Sequence, residues 1–216
     1  MDREFIIKNA LIFTEKLFSG ENSGHDFEHT VRVYKMAVRL AEKENADPFI
    51  TALAAILHDT DDAKLFPETA GNKTNAVCFL RENGADEEDI EKIIKIIKEV
   101  SFIGTDSPVP SSTEGKCVQD ADRLDAIGAV GIARTFAFGA SRGRKMYDPD
   151  IKPLLNASSK DYLKQRENTT FNHFYEKLFL LKGMMNTDSA REIAENRDKF
   201  MREFADEFLK EWNGEA

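Results

Sequence analysis

The chain of 216 residues has only two cysteines, one tryptophan and six prolines, and each scarcity removes an option. Cys78 and Cys117 form neither a CxxC pair nor a framework of bridges, which argues against a disulfide-stapled fold and leaves reduced thiols as the expectation. Long apolar runs are missing too. The longest, Ala52 to Leu57, falls far short of the roughly 20 residues that a bilayer span needs. Asp2, Arg3 and Glu4 lead into an amphipathic stretch where a signal peptide would carry an apolar block, so a cytoplasmic location is expected. Positive charge is also short: 30 Lys+Arg face 39 Asp+Glu, a net charge of −9. That balance disfavours extended nucleic acid and anionic membrane as partners. Alternating apolar and polar stretches hardly occur, and apolar residues recur instead at steps of three and four. The fold should be all-α.

Phe5, Ile6, Ala10, Phe13 and Leu17 predict a first helix that ends near Ser19-Gly20, with Glu21 to Gly24 as a turn. A second helix carries Val31, Val33, Tyr34, Ala37, Val38 and Leu40 and ends before Asp47-Pro48, because proline suits a helix start but not its interior. The third runs from about Pro48 to Asp59. Its middle is apolar on every side, the mark of a central buried helix. A fourth is expected over about Asn72 to Asn83, closed by Gly84. The fifth, Asp86 to Val100, has an Ile90, Ile93, Ile94, Ile97 stripe in a charged segment. Thr105 to Glu114, rich in Pro, Ser and Thr, reads as a surface loop. Asp120 to Phe138 reads as one helix and 139–159 as irregular. Two last helices are placed at about Thr170 to Met185 and Ser189 to Trp212, with Ser189 and Glu192 at capping-box spacing.

Of four histidines, three fall between positions 25 and 58. His29, the adjacent pair His58-Asp59, and Asp122 are the informative residues. Imidazole and carboxylate suit Mn²⁺, Fe²⁺, Zn²⁺, Ni²⁺ or Mg²⁺. Adjacent helical residues point about 100° apart, so His58 and Asp59 reach one ion only at a helix end or along a shared edge. The apolar run of the third helix gives way there to His-Asp-Thr-Asp-Asp. A solvated helix exit would explain the acids simply. Yet the negative end of the helix dipole disfavours each anion by about 0.3–1 kcal/mol, and a bound cation would offset that. The acidic cluster Asp120, Asp122 and Asp125 starts the predicted 120–138 helix, where anions are favoured, so ordinary capping is the stronger explanation for it.

The segments GHDFEHTVRVYKMA, ALAAILHDTDD and VQDADRLDAIGAVGIAR, in this order, closely resemble the H…HD…D signature of the HD-domain metal-dependent phosphohydrolases. The resemblance covers a core of about residues 24–134. NHFYEKLFLLKGMMNT and AREIAENRDKFMREFADEFLKEW are similar to the C-terminal helices of a bacterial subgroup that includes a nucleotide pyrophosphatase. It implies a single all-α domain over 1–216, an HD-domain helical bundle with a C-terminal helical extension over about 168–213. It implies one divalent ion (Mn²⁺, Mg²⁺, Ni²⁺, Co²⁺ or Fe²⁺) held by His29, His58, Asp59 and Asp122, with Asp120 as a neighbour. Other relatives carry an acid four residues after the HD histidine that orients the attacking water. Asp62 occupies that position, and Asp61 stands beside it. His25, one turn before His29, is assigned with Asp26 to the substrate or to the surroundings of the metal, and His173 to packing. The GYP motif of cyclic-di-nucleotide phosphodiesterases is absent.

A phosphate substrate needs further cations. Residues 116–166 hold ten Lys/Arg and six acids, a local balance of +4 within the acidic chain. Arg142, Arg144 and Lys145 lie in its glycine-containing loop and are candidate substrate ligands; Lys64 and Lys73, after the HDTDD run, are weaker ones. The expected function is hydrolysis of a small phosphorylated metabolite, a nucleotide above all, with a nucleoside triphosphate cleaved to monophosphate and pyrophosphate. The alternatives are a phosphomonoesterase or 5′-nucleotidase, and a non-catalytic metal-stabilised binding or sensor module. A homo-oligomer is left open.

Overall fold

A computed structural model describes residues 2–20, 26–100, 108–155 and 168–215. His25, part of the expected 105–114 loop, and Lys160, Lys164 and Arg166 of the basic stretch lie outside them. Among the described residues the fold is all-α, with no strand. No helix there is long and apolar enough to cross a membrane, and both cysteines are unbonded. Contacts divide the chain into two compact units, Met1–Asp122 and Arg123–Ala216.

In the first unit, α1 (Arg3–Leu17), α2 (Phe27–Glu44) and α3 (Pro48–Leu57) each begin on an aspartate. Asp2 accepts from the Phe5 amide, Asp26 from that of His29, and Asp47 from those of Phe49 and Ile50, so each supplies an acceptor for helix-start donors that have no intrahelical partner. Pro48 fills the first position of α3, where its missing N–H costs nothing. Every residue of α3 from Phe49 to Leu57 is buried. It is the central helix, packed by α1, α2 and α5 (Glu87–Val100), with α4 (Thr74–Glu82) against α5. Burying Leu53, Ile56 and Leu57 completely contributes about 1.5–3 kcal/mol each.

The expected boundaries shift beyond α5. Helix α6 covers Thr113–Asp125 and begins seven residues before the predicted start at Asp120. Ser112 Oγ accepts the Gly115 amide at 3.0 Å, a capping contact at the end of what reads as loop. The single helix expected over 120–138 is two, because Gly128 at φ +79° opens α7 (Gly128–Ser141) after a break at Ala126-Ile127. A Cβ at Gly128 would also meet the Arg197 side chain at 3.0 Å.

In the second unit a π-helical turn (Phe174–Leu178), a short α8 (Phe179–Leu181) and a 3-10 turn (Lys182–Met184) replace the expected regular helix. The last helix, α9 (Asp188–Asn213), is capped by Thr187, which accepts the Ala190 amide, and not by Ser189. It packs on α7. Aromatic rings pack around the two: Phe136 of α7 touches Phe204 and Phe208 of α9 and Phe174 of the π-helical turn, and Phe171, just before that turn, stacks on Phe208 at 4.6 Å between centroids.

Candidate metal centre

Three elements of the first unit bring the site together. The Asp26 cap fixes the first turn of α2 and with it His29. Helix α3 stops at Leu57, which puts His58 at its C-cap and Asp59 in the following turn. Adjacent side chains that a continuous helix would splay can therefore converge. His58 Nε2 lies 3.2 Å from Asp59 Oδ2, and His29 Nε2 lies 3.6 Å from the same oxygen. The two rings meet edge to face at 5.5 Å. One ligand atom from each of His29, His58 and Asp59 falls within 4.8 Å of the others. Asp122, on α6, adds Oδ1 at 3.4 Å from His29 Nε2, with its side chain 28% exposed at the rim. It sits in the last turns of α6, not at a helix start, so the N-terminal capping explanation for Asp120 and Asp122 does not apply.

The donor set fits a divalent ion. His58 Nδ1 lies 2.8 Å from the Ala55 carbonyl, and an oxygen that can only accept makes Nδ1 the donor. Nε2 is thereby reserved for the cluster, the arrangement that orients ligating histidines. That nitrogen is buried and has no hydrogen bond of acceptable geometry, although Asp59 stands nearby. Burial works to lower the His58 pKa, but the adjoining Asp59 carboxylate, the Asp122 charge and the Ala55 carbonyl outweigh it and push it up to about 9. Burial likewise works to raise the Asp122 pKa, while the adjoining His29 imidazole and the His58 charge hold it below the ordinary carboxylate range. Both directions express one demand: the carboxylates favour positive charge at this point.

The acids that follow divide in role. Asp61 is fully buried and accepts the Asn75 amide on Oδ1 and the Ala76 amide on Oδ2, each at 3.0 Å. It caps α4, whose own N-cap residue, Lys73, supplies no side-chain acceptor. Asn75 ties the same turn down by donating to the Thr60 carbonyl at 2.7 Å, a contact between distant segments that no local pattern announces. Asp62 is half-buried; its Oδ1 accepts the Lys64 and Leu65 amides, and Oδ2 has no hydrogen bond among the described residues.

The basic loop belongs to the second unit. Arg142 and Arg144 are exposed, with their guanidinium carbons 5.3 and 5.8 Å from the Phe138 ring centroid. Lys145 pairs with Asp148 at 2.7 Å. In the same unit His173 is held neutral: burial, helped by the Lys177 and Arg144 charges, pushes its pKa down to about 3.

Known proteins place this arrangement. The HD domain family matches residues 26–127. A Bacillus thuringiensis HD-superfamily hydrolase of known structure is 40% identical, covers 98% of each chain and superposes with a TM-score of 0.77. The chain belongs to the HD-domain superfamily. With that membership goes its class, a metal-dependent phosphohydrolase. A Lactobacillus plantarum protein of known structure is 38% identical over 99% of this chain and 100% of its own, with a TM-score of 0.84. Bacillus subtilis YpgQ is 41% identical over 205 residues, which span 94% of this chain and 91% of YpgQ. Its crystal structure in complex with ADP superposes with a TM-score of 0.78, at 37% identity over 98% of this chain and 97% of that one.

Proposed function

We propose that this HD-superfamily hydrolase cleaves nucleoside triphosphates to the monophosphate and pyrophosphate. The observation that carries the reading is the convergence of buried His29, His58 and Asp59 with the half-buried Asp122 on one point that favours a cation. These four residues would hold one divalent ion, which supplies Lewis-acid polarisation of a phosphoryl oxygen. Support for a nucleotide comes from YpgQ, which binds ADP. In the reaction a water oxygen bonds to the α-phosphorus, the α–β bridging P–O bond breaks, and pyrophosphate leaves. Asp62 is the acid assigned to this water: its free Oδ2 can orient it and take up its proton. Asp61, with both oxygens on backbone amides, holds the turn instead. Arg142, Arg144 and Lys145 are the candidate phosphate ligands of the second unit, and His25 that of the residues before α2.

Product analysis on a nucleotide panel with added Mn²⁺, Mg²⁺, Ni²⁺ or Co²⁺ tests the reading. Pyrophosphate and monophosphate in equal amounts are expected. Orthophosphate from monophosphates alone would make the enzyme a phosphomonoesterase, and metal binding without any product would make the domain a sensor.

A further inference from the structure

Lys73 is half-buried in the turn that leads into α4, at φ 54° and ψ 46°. Among the described residues only it and Asn45 take a positive φ without being glycine. Asparagine tolerates the left-handed region; lysine does so at a cost. Gly71 and Asn72 stand immediately before it, so residues suited to that backbone were at hand one and two positions away. The side chain explains what the backbone does not. Its ammonium reaches back twelve residues and donates to the Asp61 carbonyl at 3.2 Å, beside the turn that carries His58, Asp59 and Asp62. Three carboxylates are within a few residues of that contact in sequence. Yet Lys73 forms no ion pair with any of them, and the Asp61 carbonyl is its one hydrogen-bond partner among the described residues. An ammonium has three donors, so two remain. Asp61 makes this possible, because by capping α4 from outside it relieves residue 73 of the capping role.

We propose that Lys73 binds the phosphoryl oxygens of the substrate, as a fixed cation alongside the His58-Asp59 turn. The inference deepens the proposed function and rests on the site accepting a phosphorylated ligand. A lysine held here by one carbonyl keeps its charge undivided for an incoming polyphosphate, whereas one paired with Asp62 would not.

Calorimetric titration of inorganic pyrophosphate in Mn²⁺ into the whole protein tests it, with wild type compared to K73M, K73R and K73G. Affinity should fall about tenfold or more in K73M and K73G and be largely kept in K73R. Mn²⁺ affinity should be unchanged in all three. K73G should also melt no lower than wild type, since glycine adopts the left-handed backbone freely. Equal pyrophosphate affinity in K73M and wild type, or no pyrophosphate binding by wild type, overturns the inference. So does a parallel loss of Mn²⁺, which would mean that Lys73 only braces the turn. Nucleotide turnover by wild type is measured alongside. If it is absent while K73M still loses pyrophosphate, the hydrolase reading fails and the role of Lys73 stands; if wild type cleaves nucleotides and K73M matches its kcat/KM, the reverse holds.

Discussion

Asp59 and Asp62 stand three positions apart on one turn and answer to different measurements. Asp59 faces both imidazoles, so Asp59→Ala removes an anion that solvent cannot replace. Metal stoichiometry by calorimetry and turnover should both collapse; a variant that keeps its ion would displace Asp59 from the centre. Asp62→Asn removes only a proton acceptor, and the ion should stay while kcat falls about 10²-fold or more. Unchanged kcat would reduce Asp62 to the Asx turn over Lys64 and Leu65. Donor chemistry points to His29 and His58-Asp59 in the sequence, whereas Asp122 is singled out only by the resemblance of its segment to the HD signature. Sequence could not separate Asp61 from Asp62. Their difference depends on α4 amides fourteen and fifteen residues further on, and tertiary contacts of that kind leave no local trace.

At the level of elements, α1 to α5 were readable to within a few residues, since apolar periodicity, Pro48 and the isoleucine stripe are local signals. The region after α5 was not. Gly128 looks like one more small residue in an apolar helix until its positive φ and its contact with Arg197 show it to be a break. The cap on α4 is equally hidden, and it makes a prediction. In Asp61→Ala the Asn75 and Ala76 amides lose their acceptor, which should cost about 2 kcal/mol, or a thermal midpoint lower by roughly 4–8 °C for a chain of this size. Wild-type stability in that variant would remove Asp61 from the cap. Helix α7 offers a second one. A Cβ on Gly139 would stand 2.0 Å from Thr170 Oγ1 and 2.8 Å from its Cγ2. Gly139→Ala should lose about 1–3 kcal/mol by overpacking. Adding Thr170→Ala, which deletes both atoms, should restore part of it in a denaturation cycle. Additive losses would mean that the two positions do not meet.

The whole molecule carries a net charge of −9, and that figure says little about what its site accepts. At the metal centre the acids favour a cation, and Lys73 stands free of them, so local composition, not the sum, governs the choice of a phosphorylated ligand. Stability against acid is a whole-molecule property that can be tied to one residue. The His173 pKa is about 3 in the folded chain against 6.5 for an ordinary histidine, because burial and then the Lys177 and Arg144 charges disfavour its cation. Between those values the unfolded chain holds a proton that the folded one refuses. Folding stability must therefore fall as pH drops below 6.5 and be unaffected by this group above it. His173→Gln removes the group, and the place to look is pH 6.5 to 5, above the range where most carboxylates titrate. Urea midpoints of the variant should fall less steeply with acid there than those of wild type, by up to one proton's worth of slope. Parallel slopes would show that His173 ionises in the folded protein.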